Sequence, residues 1–379
     1  MFVFHWSVPM ERRREIVFGL VTVGLTISLA ALAAEVTLRL LPVATGMRTL
    51  PVTFENSVFR FTPNSDFLYS RDWDMALANR GHVNNAGFVN DQNYHATHGL
   101  PLLAVIGDSM IEAPMVPFRD TLSGRLAAGL SGEARVYSFA ASGAPLSQYL
   151  IWARHAVREY GARALLINVV GNDFDESHSH YKTAVGFWHY VPDENGQLHL
   201  RLIEYHPGRL RGLVLTSAVV RYVVFNLQFG ARWLELKGLF LRGTDGPRPR
   251  YAGNTEADAN PNRIRDSVAV LDAFFRDLPQ YTGLPPSRII IVVDGFRYPE
   301  IAKAATGTYF DVMRKETLSR AASLGYNVID LDVFFFEHFP RFGERFEFAR
   351  DGHWNSTGHQ VASDAVIRLH RVKSILTHD

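Results

Sequence analysis

The chain has 379 residues, no cysteine, a hydrophobic fraction of 47%, a charged fraction of 20% and a formal net charge of +1. That length and apolar content support a large buried core and exclude wholesale disorder, while the near-neutral balance offers no basic field for nucleic acid and no acidic field for a basic partner. The lack of cysteine removes disulfides, thiolate metal sites and cysteine nucleophiles together.

Residues 16–34 read IVFGLVTVGLTISLAALAA, without a charge. At ~1.5 Å rise per residue this run is about 28 Å long, close to the hydrocarbon thickness of a bilayer. Arg12, Arg13 and Arg14 precede it; such a basic flank stays cytoplasmic and sends the chain after Glu35 outward. The pattern predicts a cytoplasmic N-terminus over 1–15, a single transmembrane anchor over 16–38, an extracytoplasmic linker over 39–99 and a periplasmic or extracellular domain over 100–379. A cleaved signal peptide and secretion is the competing reading, because Ala31 and Ala33 stand at cleavage spacing. The anchor is favoured because the apolar run is longer than a usual signal-peptide core.

Residues 42–99 carry Pro42, Pro51, Pro63 and the polar run Asn84-Asn85-Ala86-Gly87, a pattern of loops and short strands. From Pro101 onward, short apolar runs predict strands over 102–106, 135–139, 164–170, 288–293 and 326–330. Helical spacing falls over 121–130, 146–160 and 309–324. Strands alternating with helices predict an α/β fold with a mostly parallel, doubly wound sheet, whose chemistry collects beyond the carboxyl ends of the strands. Residues 174–262 interrupt the alternation and are expected to form an inserted cap. Within it, a hairpin is predicted around Asp193-Glu194-Asn195-Gly196. An apolar helix is predicted over 213–227, where Arg221 argues against a second membrane span, and a surface loop over 243–261.

Four blocks carry candidate chemistry. Gly107-Asp108-Ser109 follows the first strand of the alternating region, where a strand-to-helix turn displays a nucleophile; alone, the same triplet often caps a helix. Ser142-Gly143 follows the second strand, and a glycine there allows close backbone approach to an oxyanion. Gly171-Asn172-Asp173 follows the third; the Asn172 carboxamide is a neutral oxyanion donor, or else begins an Asx turn. Near the C-terminus, Asp351-Gly352-His353-Trp354 supplies a base and a carboxylate two residues apart. Serine needs such a base to become nucleophilic, and the carboxylate holds the imidazole tautomer. The competing readings of this block are a metal pair with His359, which lacks cysteines or a third nearby ligand, and a surface loop; a site built from His178, His180 and His189 lacks the carboxylate or cysteine that would complete a recognisable spacing. Asp108 is expected to brace the nucleophile turn, and Asp294 either lines the site or caps the segment after its strand.

Taken in this order, the blocks resemble the SGNH/GDSL hydrolase superfamily over roughly residues 80–370, with namesake positions Ser109, Gly143, Asn172 and His353. Asn84–Phe88 is similar to the approach segment of membrane-anchored bacterial members, and Asp-x-His-Trp to relatives in exopolysaccharide O-acetylation. The resemblance implies a three-layer α/β/α, flavodoxin-like sheet and a catalytic set of Ser109, His353 and Asp351. It also implies an oxyanion hole made by the Ser109 and Gly143 backbone N–H groups and the Asn172 side chain. Three positions depart from the family pattern: Met110 replaces leucine, Ser138 stands where many members have asparagine, and Asp351 lies two rather than three residues before the histidine. The expected activity is ester hydrolysis or O-acyl transfer on acyl esters of small molecules or of cell-envelope or exported glycans. The membrane is engaged through the N-terminal helix, with no cofactor, no metal and no nucleic acid. The alternative is a membrane-tethered glycan-binding scaffold with a vestigial site.

Overall fold

The computed structural model describes residues 10–96, 99–208, 211–229, 259–368 and 375–376. The predicted loop over 243–261 lies almost wholly outside the described residues. The chain divides into two compact units. The smaller is built from the described parts of Met1–Gly46, Leu68–Ala78 and Gly208–Gly238, and the larger from those of Met47–Phe67, Asn79–Pro207 and Leu239–Asp379.

In the smaller unit, helix α1 (Met10–Leu40) is long and apolar enough over Arg12–Leu40 to cross a membrane. Its apolar side chains are exposed all round, Phe18 at 74% and Leu29 at 65% among them; a helix hydrophobic on every side has no solvent face. The helix expected over 213–227 is broken. Ser217 adopts an extended backbone and its side chain accepts from the Val220 N–H, which restarts the chain as a short helix over Ala218–Arg221 followed by a π-helical turn over Tyr222–Asn226. Glu35 of α1 accepts from the Ser217 hydroxyl and from the Ala218 and Val219 N–H groups at 2.8–3.1 Å, satisfying donors that a helix N-terminus leaves open.

The larger unit holds the parallel sheet. Strands β1 (Ser65–Arg71) and β2 (Leu77–Val83) form a separate two-stranded sheet. The main sheet comprises β3 (Leu102–Gly107), β4 (Arg135–Ala140), β5 (Ala162–Val169), β8 (Ile289–Val293) and β9 (Asn327–Asp330), in the order β4-β3-β5-β8-β9. All four pairings are parallel. The hairpin of β6 (Trp188–Pro192) and β7 (Leu198–Leu202) lies within the predicted insertion.

Every residue of β3 and β8 is buried, as expected where helices cover both faces. On one face, Leu103, Val105, Val136, Leu166 and Val292 join a core with Leu122, Leu126, Phe335 and Val361. These last four come from α3 (Leu122–Gly129), α11 (Leu331–Phe342) and α12 (Ser356–Arg368). On the other, α4 (Leu146–Tyr160) packs against α8 (Pro261–Thr282), which also meets α10 (Tyr309–Ser323). This is the three-layer, doubly wound arrangement expected from the alternation. Its strand order reverses direction at β3, so β4 and β5 leave the first strand on opposite sides and open a crevice at its carboxyl end.

Candidate active site

Ser109 sits two residues beyond β3, at the first position of the one-turn helix α2 (Ser109–Glu112). Asp108 caps that turn: its Oδ1 accepts from the Met110 N–H at 2.9 Å. Gly107 makes room for it, because a Cβ there would stand 2.4 Å from Ile111 Cγ1. Gly107 pairs in register with Ala140 of β4, and Ile106 with Ile167 of β5. The loops carrying Ser109, Gly143 and Asn172 therefore leave adjacent strands at one end of the sheet.

His353 and Asp351 lie on the short strand β11 (Asp351–Trp354), which pairs antiparallel with β10 (Glu347–Phe348). His353 Nε2 is 2.8 Å from Ser109 Oγ. Its Nδ1 is hydrogen-bonded to Asp351 Oδ1, which also accepts the His353 backbone N–H at 3.1 Å. Asp351 is 6% exposed, so its charge acts on the imidazole with little solvent screening. With Nδ1–H donated to Asp351, Nε2 is left as the acceptor for the serine hydroxyl. Asp108 Oδ2 is the other neighbour of Ser109 Oγ, at 3.2 Å. Burial pushes the Asp108 carboxyl up, against the Met110 N–H and the nearby His353.

Gly143 is the third residue of a turn closed by the Ala144 N–H and the Ala141 carbonyl at 3.2 Å. Its φ of +76° is the left-handed value that a type II turn requires at this position and that glycine adopts freely. Asn172 precedes α5 (Asp173–Ser177) and makes no side-chain capping bond to it. Burial pushes the nearby Glu176 carboxyl up, opposed first by the Lys182 ammonium and then by the Asn172 side chain.

Three further groups surround these loops. Glu112, three residues after Ser109, accepts from the Ser142 N–H at 2.7 Å and from the Ser142 hydroxyl; burial pushes its carboxyl up to about 7. Lys182 pairs with Glu176 and donates to the Gly143 carbonyl at 3.3 Å. Arg297, 5% exposed, donates to the Gly352 carbonyl at 2.6 Å and to Asp294 Oδ2 at 3.1 Å. Asp294 Oδ1 in turn accepts from Trp354 Nε1 at 3.1 Å.

Asp294 therefore anchors the segment that carries His353. Ser138 is buried and accepts from Asn90 Nδ2 at 2.9 Å. His359 is also buried, and its Nδ1 accepts the Leu122 N–H at 3.1 Å. His189 is bonded to backbone atoms of Glu176 and Ala184. Among the described residues no group of three His, Asp or Glu is placed to hold a metal ion.

Sequence reasoning passed over Glu112, Glu176, Lys182 and Arg297. A carboxylate inside the apolar run Met110-Ile111-Glu112-Ala113 was a usable signal for the first. Arg297 carried none, because nothing in its local sequence marks it as buried.

No protein-family model matches the sequence, and no curated protein sequence matches it. Among solved structures, the chain is similar to a lipolytic protein of the G-D-S-L family from Veillonella parvula, with 12% identity, 71% of this chain and 97% of that chain covered, and a TM-score of 0.35. An α/β hydrolase from the metagenome of Lake Arreo, Spain, shares 12% identity over 73% of this chain and 97% of its own, with a TM-score of 0.40. An acetyl xylan esterase from Butyrivibrio proteoclasticus shares 13% over 76% and 68%, with a TM-score of 0.34.

Proposed function

We propose that the chain is a serine-dependent ester hydrolase or O-acyltransferase. It acts on acyl esters of cell-envelope or exported glycans, anchored by its N-terminal helix with the catalytic domain outside the membrane. The observation that carries the chemistry is the hydrogen-bonded chain Ser109–His353–Asp351, with Ser109 Oγ 2.8 Å from His353 Nε2, at the carboxyl end of a parallel sheet. The glycan and the acyl-transfer option rest on the resemblance of Asp351-Gly352-His353-Trp354 to O-acetylation relatives.

In this mechanism Ser109 Oγ bonds to the acyl carbon while its proton passes to His353 Nε2. Asp351 keeps the imidazole in the receiving tautomer and stabilises the imidazolium that forms. The carbonyl oxygen becomes an oxyanion facing the Ser109 and Gly143 N–H groups and the Asn172 carboxamide. Collapse breaks the ester C–O bond, and the leaving alkoxide takes the proton from His353. A water or a sugar hydroxyl then attacks the acyl-serine, giving its proton to His353; collapse breaks the bond from Ser109 Oγ to the acyl carbon, and Ser109 Oγ takes that proton back, restoring both side chains.

The test is turnover of 4-nitrophenyl acetate by the full chain and its Ser109→Ala variant, with fluorophosphonate labelling read by mass spectrometry. The expected result is loss of turnover and of the adduct in a variant of unchanged fold. Equal turnover by the two proteins would remove the serine mechanism. A folded parent chain with neither turnover nor adduct would favour the binding alternative.

A further inference from the structure

The turn that presents Gly143 does not by itself fix where the Gly143 N–H points. Type I and type II turns differ by rotating the central peptide through half a turn, and glycine at the third position accepts both. Here the central peptide joins Ser142 to Gly143. Rotation would carry the Gly143 N–H to the opposite side and put the Ser142 carbonyl oxygen, a repelling dipole, in its place.

Both flanks of that peptide are held. On the N-terminal side, Glu112 Oε2 accepts the Ser142 N–H at 2.7 Å and also the Ser142 hydroxyl. On the C-terminal side, Lys182 Nζ donates to the Gly143 carbonyl at 3.3 Å. Packing does not explain Glu112. It is 3% exposed, its Oε1 has no hydrogen-bond partner, and an apolar side chain would fill the same space without the desolvation cost. Both of its side-chain hydrogen bonds go to the residue before Gly143. Lys182 is held in turn by Glu176.

We infer that Glu112 and Lys182 are positioning residues that lock the Ser142–Gly143 peptide with its N–H directed at the oxyanion. This rests on the hydrolase reading given above. Neither side chain touches the reacting atoms; they act through the orientation of one dipole. Their effect therefore belongs to the transition state, where charge develops on the acyl oxygen, and not to ground-state binding.

The test uses the full chain in detergent, with kcat and KM for 4-nitrophenyl acetate and the thermal midpoint for each variant. Glu112→Ala and Lys182→Ala should each lower kcat about tenfold or more with KM within about twofold. Glu112→Gln keeps an oxygen acceptor and Lys182→Arg keeps a cationic donor, and each should recover most of the loss. Either alanine variant keeping kcat within about twofold of the parent overturns the inference. So does a loss carried in KM, or a conservative variant as impaired as its alanine counterpart. If Glu112→Ala fails to fold, the Lys182 pair decides alone, since that side chain is partly exposed. Turnover that survives Ser109→Ala sinks the hydrolase reading and the inference with it. Turnover that depends on Ser109 but ignores Lys182→Ala sinks the inference alone.

Discussion

Arg297 Nη1 donates at 2.6 Å to the carbonyl of Gly352, the one residue between Asp351 and His353. The same guanidinium reaches Asp294, and Asp294 takes the indole N–H of Trp354. The strand carrying His353 is thus held from both sides of that residue by one buried ion pair. Arg297 has a positive φ of +68°, uncommon for a residue with a side chain, and its backbone N–H is taken by Asp332 Oδ1 at 3.1 Å.

That pair should matter for stability and rate alike. Arg297→Ala leaves Asp294 buried without its charge partner and should cost about 3 kcal/mol of stability. Arg297→Lys keeps the charge but loses the planar fork that serves Gly352 and Asp294 together. It should fold and lose kcat by about tenfold. Chemical denaturation of both variants, with steady-state kinetics on the second, measures each effect. An alanine variant as stable as the parent would mean that other contacts place His353.

Asp351→Asn isolates the orienting carboxylate. The amide can still accept the His353 backbone N–H, but it no longer fixes the Nδ1–H tautomer or stabilises the imidazolium. A fall in kcat of about 10⁴ is expected, the loss that this change produces in a serine triad. A loss under about tenfold would move the role to another carboxylate, with Asp108 beside Ser109 the first to examine.

His359 gives the fold an acid-sensitive element. Burial, then the nearby Arg125, lower its folded pKa from 6.5 to about 3, while the unfolded chain titrates near the ordinary value. A base held neutral in the fold contributes stability that is complete above the unfolded pKa. That stability is lost as pH falls from about 6.5 toward about 3, because the unfolded state takes up the proton first. The slope is about 1.4 kcal/mol per pH unit. His359→Asn keeps an acceptor for the Leu122 N–H and removes the titration, so denaturation midpoints measured from pH 7 to pH 4 should fall less steeply. Parallel curves for the two proteins would assign the acid sensitivity elsewhere.

The parallel sheet was legible because β3 and β8 are continuous apolar runs bounded by turn residues and β5 is interrupted only by Arg163 and Asn168, the pattern of strands buried on both faces. The blocks Gly107–Ser109 and Gly171–Asp173 could be named because each stands at the end of such a run, and Ser142–Gly143 because it lies just past the mixed strand β4. The helix expected over 213–227 was not one helix. Its apolar spacing continues through Ser217, and only a tertiary contact, the Glu35 carboxylate 182 residues away, makes Ser217 a cap rather than a helical residue. The supports of the site were hidden for the same reason. Glu112 meets Ser142 across 30 residues and Arg297 meets Gly352 across 55, and no local pattern encodes a partner at that distance. Asp294 was undecided between lining the site and capping; its bonds to Trp354 and Arg297 make it an anchor for β11.

The N-terminal helix carries the last prediction. Cleavage after Ala33 would release the apolar run and leave a secreted protein; retention would leave a tethered one. Helix α1 runs without a break through Ala31–Ala33 to Leu40. Glu35, two residues past the cleavage spacing, is engaged with Ser217, Ala218 and Val219. A continuous helix denies a peptidase the extended segment it needs, and the hydrogen bonds to Glu35 favour keeping that helix intact. The chain expressed in a bacterial host should therefore sediment with membranes, resist an alkaline carbonate wash, and keep residues 16–34 when its N-terminal peptides are mapped by mass spectrometry. An N-terminus at Ala34 in the soluble fraction would establish the signal-peptide reading and leave the protein untethered.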